Sequence, residues 1–82
     1  MRLAVVHPLD EKQRRSALRV RAIRNALGMR QLEFAFYLKV AQNTVSNWEN
    51  GKRLPSSLAE QAIRNLAAEH GLDLNTMRRF VL

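Results

Sequence analysis

The chain has 82 residues, no cysteine and a formal charge of +7, from 14 Lys/Arg against seven Asp/Glu. That length suits one domain with a small core, and the lack of cysteine excludes a disulfide framework or a Cys-based zinc site. The apolar run at residues 3–6 is too short for a signal sequence or a membrane span, so a soluble, cytoplasmic protein is expected.

Residues 1–9 are too apolar for a simple polar tail, and they read as a short extended arm, with Pro8 disfavouring helix at His7. His7 and His70 lie far apart without a carboxylate cluster, so neither a metal nor another cofactor is expected. Asp10 and Gln13 have the spacing of a capping box that opens the first helix, with Ser16 as a rival start. Ala17, Val20, Ile23 and Leu27 then fall on one helical face, with Leu18 and Ala26 beside them. Arginines occupy much of the remainder. Residues 1–30 hold eight Lys/Arg against two acids, which predicts that a polyanion meets the N-terminal half. Gly28 is placed to end this helix in a left-handed cap.

A second helix is predicted over residues 31–38. Leu32, Ala35 and Leu38 form its expected inner seam, with Phe34 nearby. Phe36 and Tyr37 are surplus apolar surface, suited to flank packing or to a protein contact. After a tight break at residues 39–41, a third helix is predicted over residues 42–50, with Val45 and Trp48 pointing inward and Gly51 as its stop. Two short helices around a tight break form a helix-turn-helix pattern. The polar side of the second carries Gln42, Asn43, Thr44 and Asn47. Gln and Asn can bond bidentately to adenine, and Thr to base edges or a thymine methyl.

Residues 52–55 read as a loop. Ser57 and Glu60 have capping-box spacing for a fourth helix, whose expected apolar stripe is Leu58, Ala62, Ile63, Leu66 and Ala67, ended by Gly71. Asp73 can cap a last helix over residues 73–82. Its strip of Leu74, Met77, Phe80 and Val81 is expected to close the core and to form a dimer interface.

Residues 17–68 resemble the lambda-repressor/Cro-like helix-turn-helix family. Leu27-Gly28, Gln31, Ala35, Val40, Val45-Ser46, Trp48-Glu49, Gly51 and Pro55 carry the resemblance, in the family's order and spacing. It implies an all-α bundle of four or five helices that binds double-stranded DNA, usually as a homodimer on an inverted repeat. It also implies base contacts at Gln42, Asn43, Thr44 and Asn47, and phosphate contacts by Gln31 at the start of the second helix, where Gln31 can also support Gln42. Arg30, Lys39, Asn50, Lys52 and Arg53 are the further phosphate candidates, and Arg53 has a narrowed minor groove as an alternative. Glu49 is expected to be structural, paired with Arg24 or else Arg21. Ala35, Val45 and Trp48 complete the motif's core.

Two positions depart from the family's pattern. Lys39 stands where Gly is usual in the turn, and Ala41 stands where Ser or Thr usually caps the third helix. If the turn is left-handed, Lys39 carries a strain of roughly 1 kcal/mol, and Ala41 forgoes a cap commonly worth about 1 kcal/mol.

The expected function is a sequence-specific transcriptional regulator acting as a repressor. An antitoxin that neutralises a partner toxin and regulates its own operon is the alternative, and non-specific nucleic-acid packaging is a third reading. No acid/base pair, nucleophile constellation or phosphate-cradling glycine loop points to an enzyme.

Overall fold

The computed structural model describes residues 10–75. Among the described residues four helices follow one another: α1 (Glu11–Ala26), α2 (Gln31–Leu38), α3 (Gln42–Glu49) and α4 (Ser57–Glu69). No strand occurs among the described residues, and none of their helices is long and apolar enough to cross a membrane. The expected N-terminal arm at residues 1–9 lies outside the described residues, as do Met77, Phe80 and Val81.

Helix α1 starts at the first of its two candidate sites. The Asp10 carboxylate accepts the Gln13 backbone N–H at 2.8 Å, and the Gln13 side-chain Oε1 accepts the Asp10 backbone N–H at 3.3 Å. This reciprocal bonding satisfies two N–H groups that have no partner within the helix, and Ser16 is left inside α1. At α2 only half of such a box forms. Glu33 accepts the Arg30 N–H at 2.8 Å, whereas an arginine side chain has no acceptor to return the bond.

One core joins all four helices. It contains Val20 and Ile23 of α1, Phe34, Ala35 and Leu38 of α2, Val45 and Trp48 of α3, and Ile63, Leu66 and Ala67 of α4. Two apolar residues expected there lie outside it. Leu32 is 63% exposed, and Phe34 takes the inner place at 0%. At about 100° per residue, Leu32 sits more than ~100° round α2 from the centre of the Phe34/Ala35/Leu38 stripe. A two-turn helix presents one stripe, and the larger Phe34 side chain buries more area in it. Leu58 is 82% exposed, five residues before Ile63 and so on the other side of α4.

The cap of α4 also differs from expectation. Its N-cap is Ser56, whose hydroxyl accepts the Ala59 N–H at 3.1 Å, rather than Ser57. No capping box forms there, and Glu60 instead accepts two bonds from Arg19 of α1, at 2.8 and 3.1 Å. That ion pair ties α4 to α1.

The four helices end alike. In each, the residue just after a left-handed one donates five residues back, across the last turn: Met29 to Arg24, Val40 to Ala35, Lys52 to Asn47 and Leu72 to Ala67. This Schellman geometry needs one left-handed residue. Three ends use glycine, and α2 uses Lys39, with φ 62°. Beyond α4, the Asp73 carboxylate accepts the Asn75 N–H at 2.9 Å, residues 74–75 are helical, and Leu74 packs half-buried against the core.

Candidate nucleic-acid interface

The turn between α2 and α3 is short and backbone-determined. Lys39 adopts φ 62°, ψ 42°, and its neighbour Val40 donates to the Ala35 carbonyl at 3.0 Å. Ala41 is extended and supplies no side-chain cap to α3. Its carbonyl accepts the Thr44 N–H at 3.0 Å, while the Gln42 and Asn43 N–H groups stay open at the same end as the polar side chains. Both departures seen in the sequence are thus real features of the backbone.

A single buried carboxylate sets the angle of α3 against the other helices. Arg24 of α1 grips Glu49 with two bonds, Nε to Oε2 at 2.6 Å and Nη2 to Oε1 at 3.0 Å. The Glu49 side chain is 1% exposed and that of Arg24 15%. The third Arg24 nitrogen, Nη1, donates to the Met29 carbonyl at 2.9 Å and holds the α1–α2 connection. Gln31, the first residue of α2, donates from Nε2 to Glu49 Oε1 at 3.0 Å. Arg21 stands further off, with Nε 3.7 Å from Oε1, and it donates to the Glu49 backbone carbonyl at 3.3 Å. α1, α2 and α3 therefore meet on one side chain.

The electrostatics follow from this packing. Burial pushes the Glu49 carboxyl pKa up. The bonds from Arg24 and Gln31 and the charges of Arg24 and Arg21 outweigh it, so the net shift is downward. Arg24 is raised, first by its hydrogen bond to Glu49, against the opposing effect of its own desolvation.

The pairing also redistributes the basic surface. The five arginines of α1 are not a free polyanion-binding face. Arg14 and Arg15 lie beside Glu11, Arg19 beside Glu60, and Arg21 and Arg24 beside Glu49. Among the described residues, Lys12, Arg30, Lys39, Lys52, Arg53 and Arg64 are exposed cations without an ion pair. Four of these, Arg30, Lys39, Lys52 and Arg53, stand at the start of α2, in the turn, and just after α3, while Lys12 lies on α1 and Arg64 on α4. The charge count along the chain pointed to its N-terminal half because it could not reveal which acids the arginines meet.

The polar side chains of α3 are similarly uncommitted. Gln42 and Asn43 are exposed, Thr44 and Asn47 half-buried, and none of the four side chains is hydrogen-bonded within the described residues. Asn43, Asn47 and Asn50 recur at helical spacing on the face opposite Val45. Asn50 is the exception, since its amide donates to the Ser46 hydroxyl at 3.3 Å. Gln31 makes no bond to Gln42, its expected neighbour; its amide goes to Glu49. Two links were not read from the sequence, Gln31–Glu49 and Arg19–Glu60, because each joins residues with no common periodicity.

Two short helices at a fixed angle, joined by a left-handed turn and backed by a third, define a helix-turn-helix protein. A family model described as helix-turn-helix matches residues 20–59, which covers α2 and α3 and reaches into α1 and α4. These residues form a helix-turn-helix of the lambda-repressor/Cro-like, or Cro/C1-type, family. That family is DNA-binding and regulatory, and not typically enzymatic; the protein is a double-stranded DNA-binding transcriptional regulator. No curated protein and no solved structure gives a significant match.

Proposed function

We propose that the protein is a sequence-specific cytoplasmic repressor that binds an inverted-repeat operator as a homodimer. In this reading α3 enters the major groove. Gln42, Asn43, Thr44 and Asn47 meet base edges, while Arg30, Gln31, Lys39, Asn50, Lys52 and Arg53 meet the phosphates on either side. The observation that carries it is the coincidence of unbonded amide and hydroxyl groups on α3 with unpaired cations flanking α3. Amides on a groove-sized helix suit base readout, and cations at its ends suit backbone positioning. Leu74, with Met77, Phe80 and Val81 beyond the described residues, is the proposed dimer strip.

A second reading rests on a separate observation. Leu32, Phe36 and Tyr37 are 63%, 76% and 55% exposed on α2, and with Glu33 they line one surface hollow. Contiguous exposed apolar surface marks a protein contact. It favours an antitoxin role, in which a toxin is held while DNA binding regulates the operon. A second gene product that co-purifies in fixed ratio distinguishes this reading.

The test of the first reading is a binding selection from random duplex DNA at near-physiological salt. An enriched inverted repeat, with half-sites about one DNA turn apart, supports it. Binding without enrichment refutes it and points to packaging through phosphates alone.

A further inference from the structure

We infer that Glu49 is a positioning residue for DNA recognition, acting through the Gln31 amide. The inference rests on the proposed reading of Gln31 as a DNA contact and adds what makes that contact directional. An ionised carboxylate can only accept hydrogen bonds, whereas a Gln side chain offers two N–H donors and a carbonyl acceptor. Glu49 therefore dictates which end of the Gln31 amide turns inward. Nε2 faces Oε1 at 3.0 Å, leaving one N–H and the carbonyl oxygen for other partners. The remaining N–H suits a phosphate at the start of α2, where the helix end already favours an anion. The carbonyl oxygen suits a donor such as the unbonded Gln42 amide at the start of α3.

Glu49 is well placed to impose this orientation. It is itself immobilised by two Arg24 bonds, its side chain is 1% exposed, and its pKa is held down, so it stays an acceptor at neutral pH. Glu49 is a residue of α3, so the Gln31 orientation and the angle of the recognition helix are set at one atom, Oε1. A carboxamide at position 49 removes that constraint. It keeps one acceptor for Arg24 and presents an N–H where Oε1 stood, against which Gln31 turns its carbonyl inward.

The test is a double-mutant cycle on Glu49→Gln and Gln31→Ala, with duplex affinity and base preference read for all four proteins below their unfolding temperatures. The expected result is an affinity loss of about tenfold for Glu49→Gln alone, the scale of one hydrogen bond to a charged group. Base preference opposite Gln42 should relax with it. In the Gln31→Ala background, Glu49→Gln should change affinity less than twofold. A merely structural Glu49 costs the same factor in both backgrounds, and that additivity overturns the inference. If Gln31→Ala alone leaves affinity unchanged, the reading of Gln31 as a DNA contact fails instead, which is a separate result. Should Glu49→Gln not fold, NMR on the wild-type protein decides. One Gln31 Nε2 proton should shift as Glu49 is protonated, and the other on adding duplex. A single proton answering both treatments, or neither answering, overturns the inference.

Discussion

Arg24 and Glu49, 25 residues apart, form the shortest ion pair among the described residues, with Nε 2.6 Å from Oε2. Arg24 also donates to the Met29 carbonyl, and Glu49 also accepts from Gln31, so the pair is a junction of three helices. Replacing Arg24 by Ala strands a buried carboxylate, a change that costs about 3–5 kcal/mol. Urea unfolding of Arg24→Ala should show that loss, and a loss below about 1 kcal/mol is what a surface pair would give.

The same pair predicts an acid limb of stability. The folded Glu49 pKa lies below its unfolded value, so the carboxylate's stabilisation is complete above the unfolded pKa of about 4.3. It is lost as pH falls through the lower folded value. The urea midpoint should accordingly drop on acidification below about pH 4. In Glu49→Gln that drop should be smaller, and an unchanged acid limb in the variant refutes the assignment.

Core membership on α2 is testable by a pair of truncations. Phe34→Ala removes a fully buried ring and should cost about 3–5 kcal/mol. Leu32→Ala, at a position 63% exposed, should stay within about 0.5 kcal/mol of wild type. Equal losses at the two positions argue against the inner stripe described here.

Lys39 should separate stability from binding. Its left-handed backbone carries a strain of roughly 1–2 kcal/mol that glycine avoids, partly offset by the greater unfolded-state entropy of glycine, about 0.5–1 kcal/mol. Lys39→Gly should therefore raise stability by about 0.5–1 kcal/mol. On the proposed interface it should also weaken DNA binding, with a shallower salt dependence by about one phosphate contact. Thermal melts and salt titrations read the two effects independently.

Base and phosphate contacts should differ in kind. Gln42→Ala or Asn43→Ala should relax preference at particular base positions by about 1–3 kcal/mol each. Lys52→Ala should weaken all duplexes alike. The assignment of α3 to the major groove fails if Gln42→Ala leaves both preferred sequence and affinity unchanged.

Local signals were legible where they act within a few residues. Asp10 and Gln13 announced the start of α1, Gly28, Gly51 and Gly71 the ends of three helices, and Val45 and Trp48 the inner face of α3. Signals failed where two residue sets competed for one place. Ser56 and Ser57 are equivalent caps by type, and the extended backbone at Ser56, with Ser57 already helical, makes Ser56 the cap. Leu32 and Phe34 compete for one stripe of a two-turn helix, and the shape of the neighbouring helices decides for Phe34.

The sequence by itself determined the four helices of the described residues, a tight turn at Lys39 and an amide-rich third helix, because capping, periodicity and left-handed geometry are local properties of the chain. It also carried the resemblance from which DNA binding follows. Tertiary structure alone decided which charges are available. Glu49 and Glu60 sit far along the chain from the arginines they meet, so no count of local charge could show these pairs; the family resemblance named Arg24 or Arg21 for Glu49, and the structure places both there and adds Arg19 with Glu60. The same long-range packing brought Gln31 to Glu49. An ion pair or hydrogen bond between distant residues has no period and no spacing; it exists only once the core has set the helices against one another.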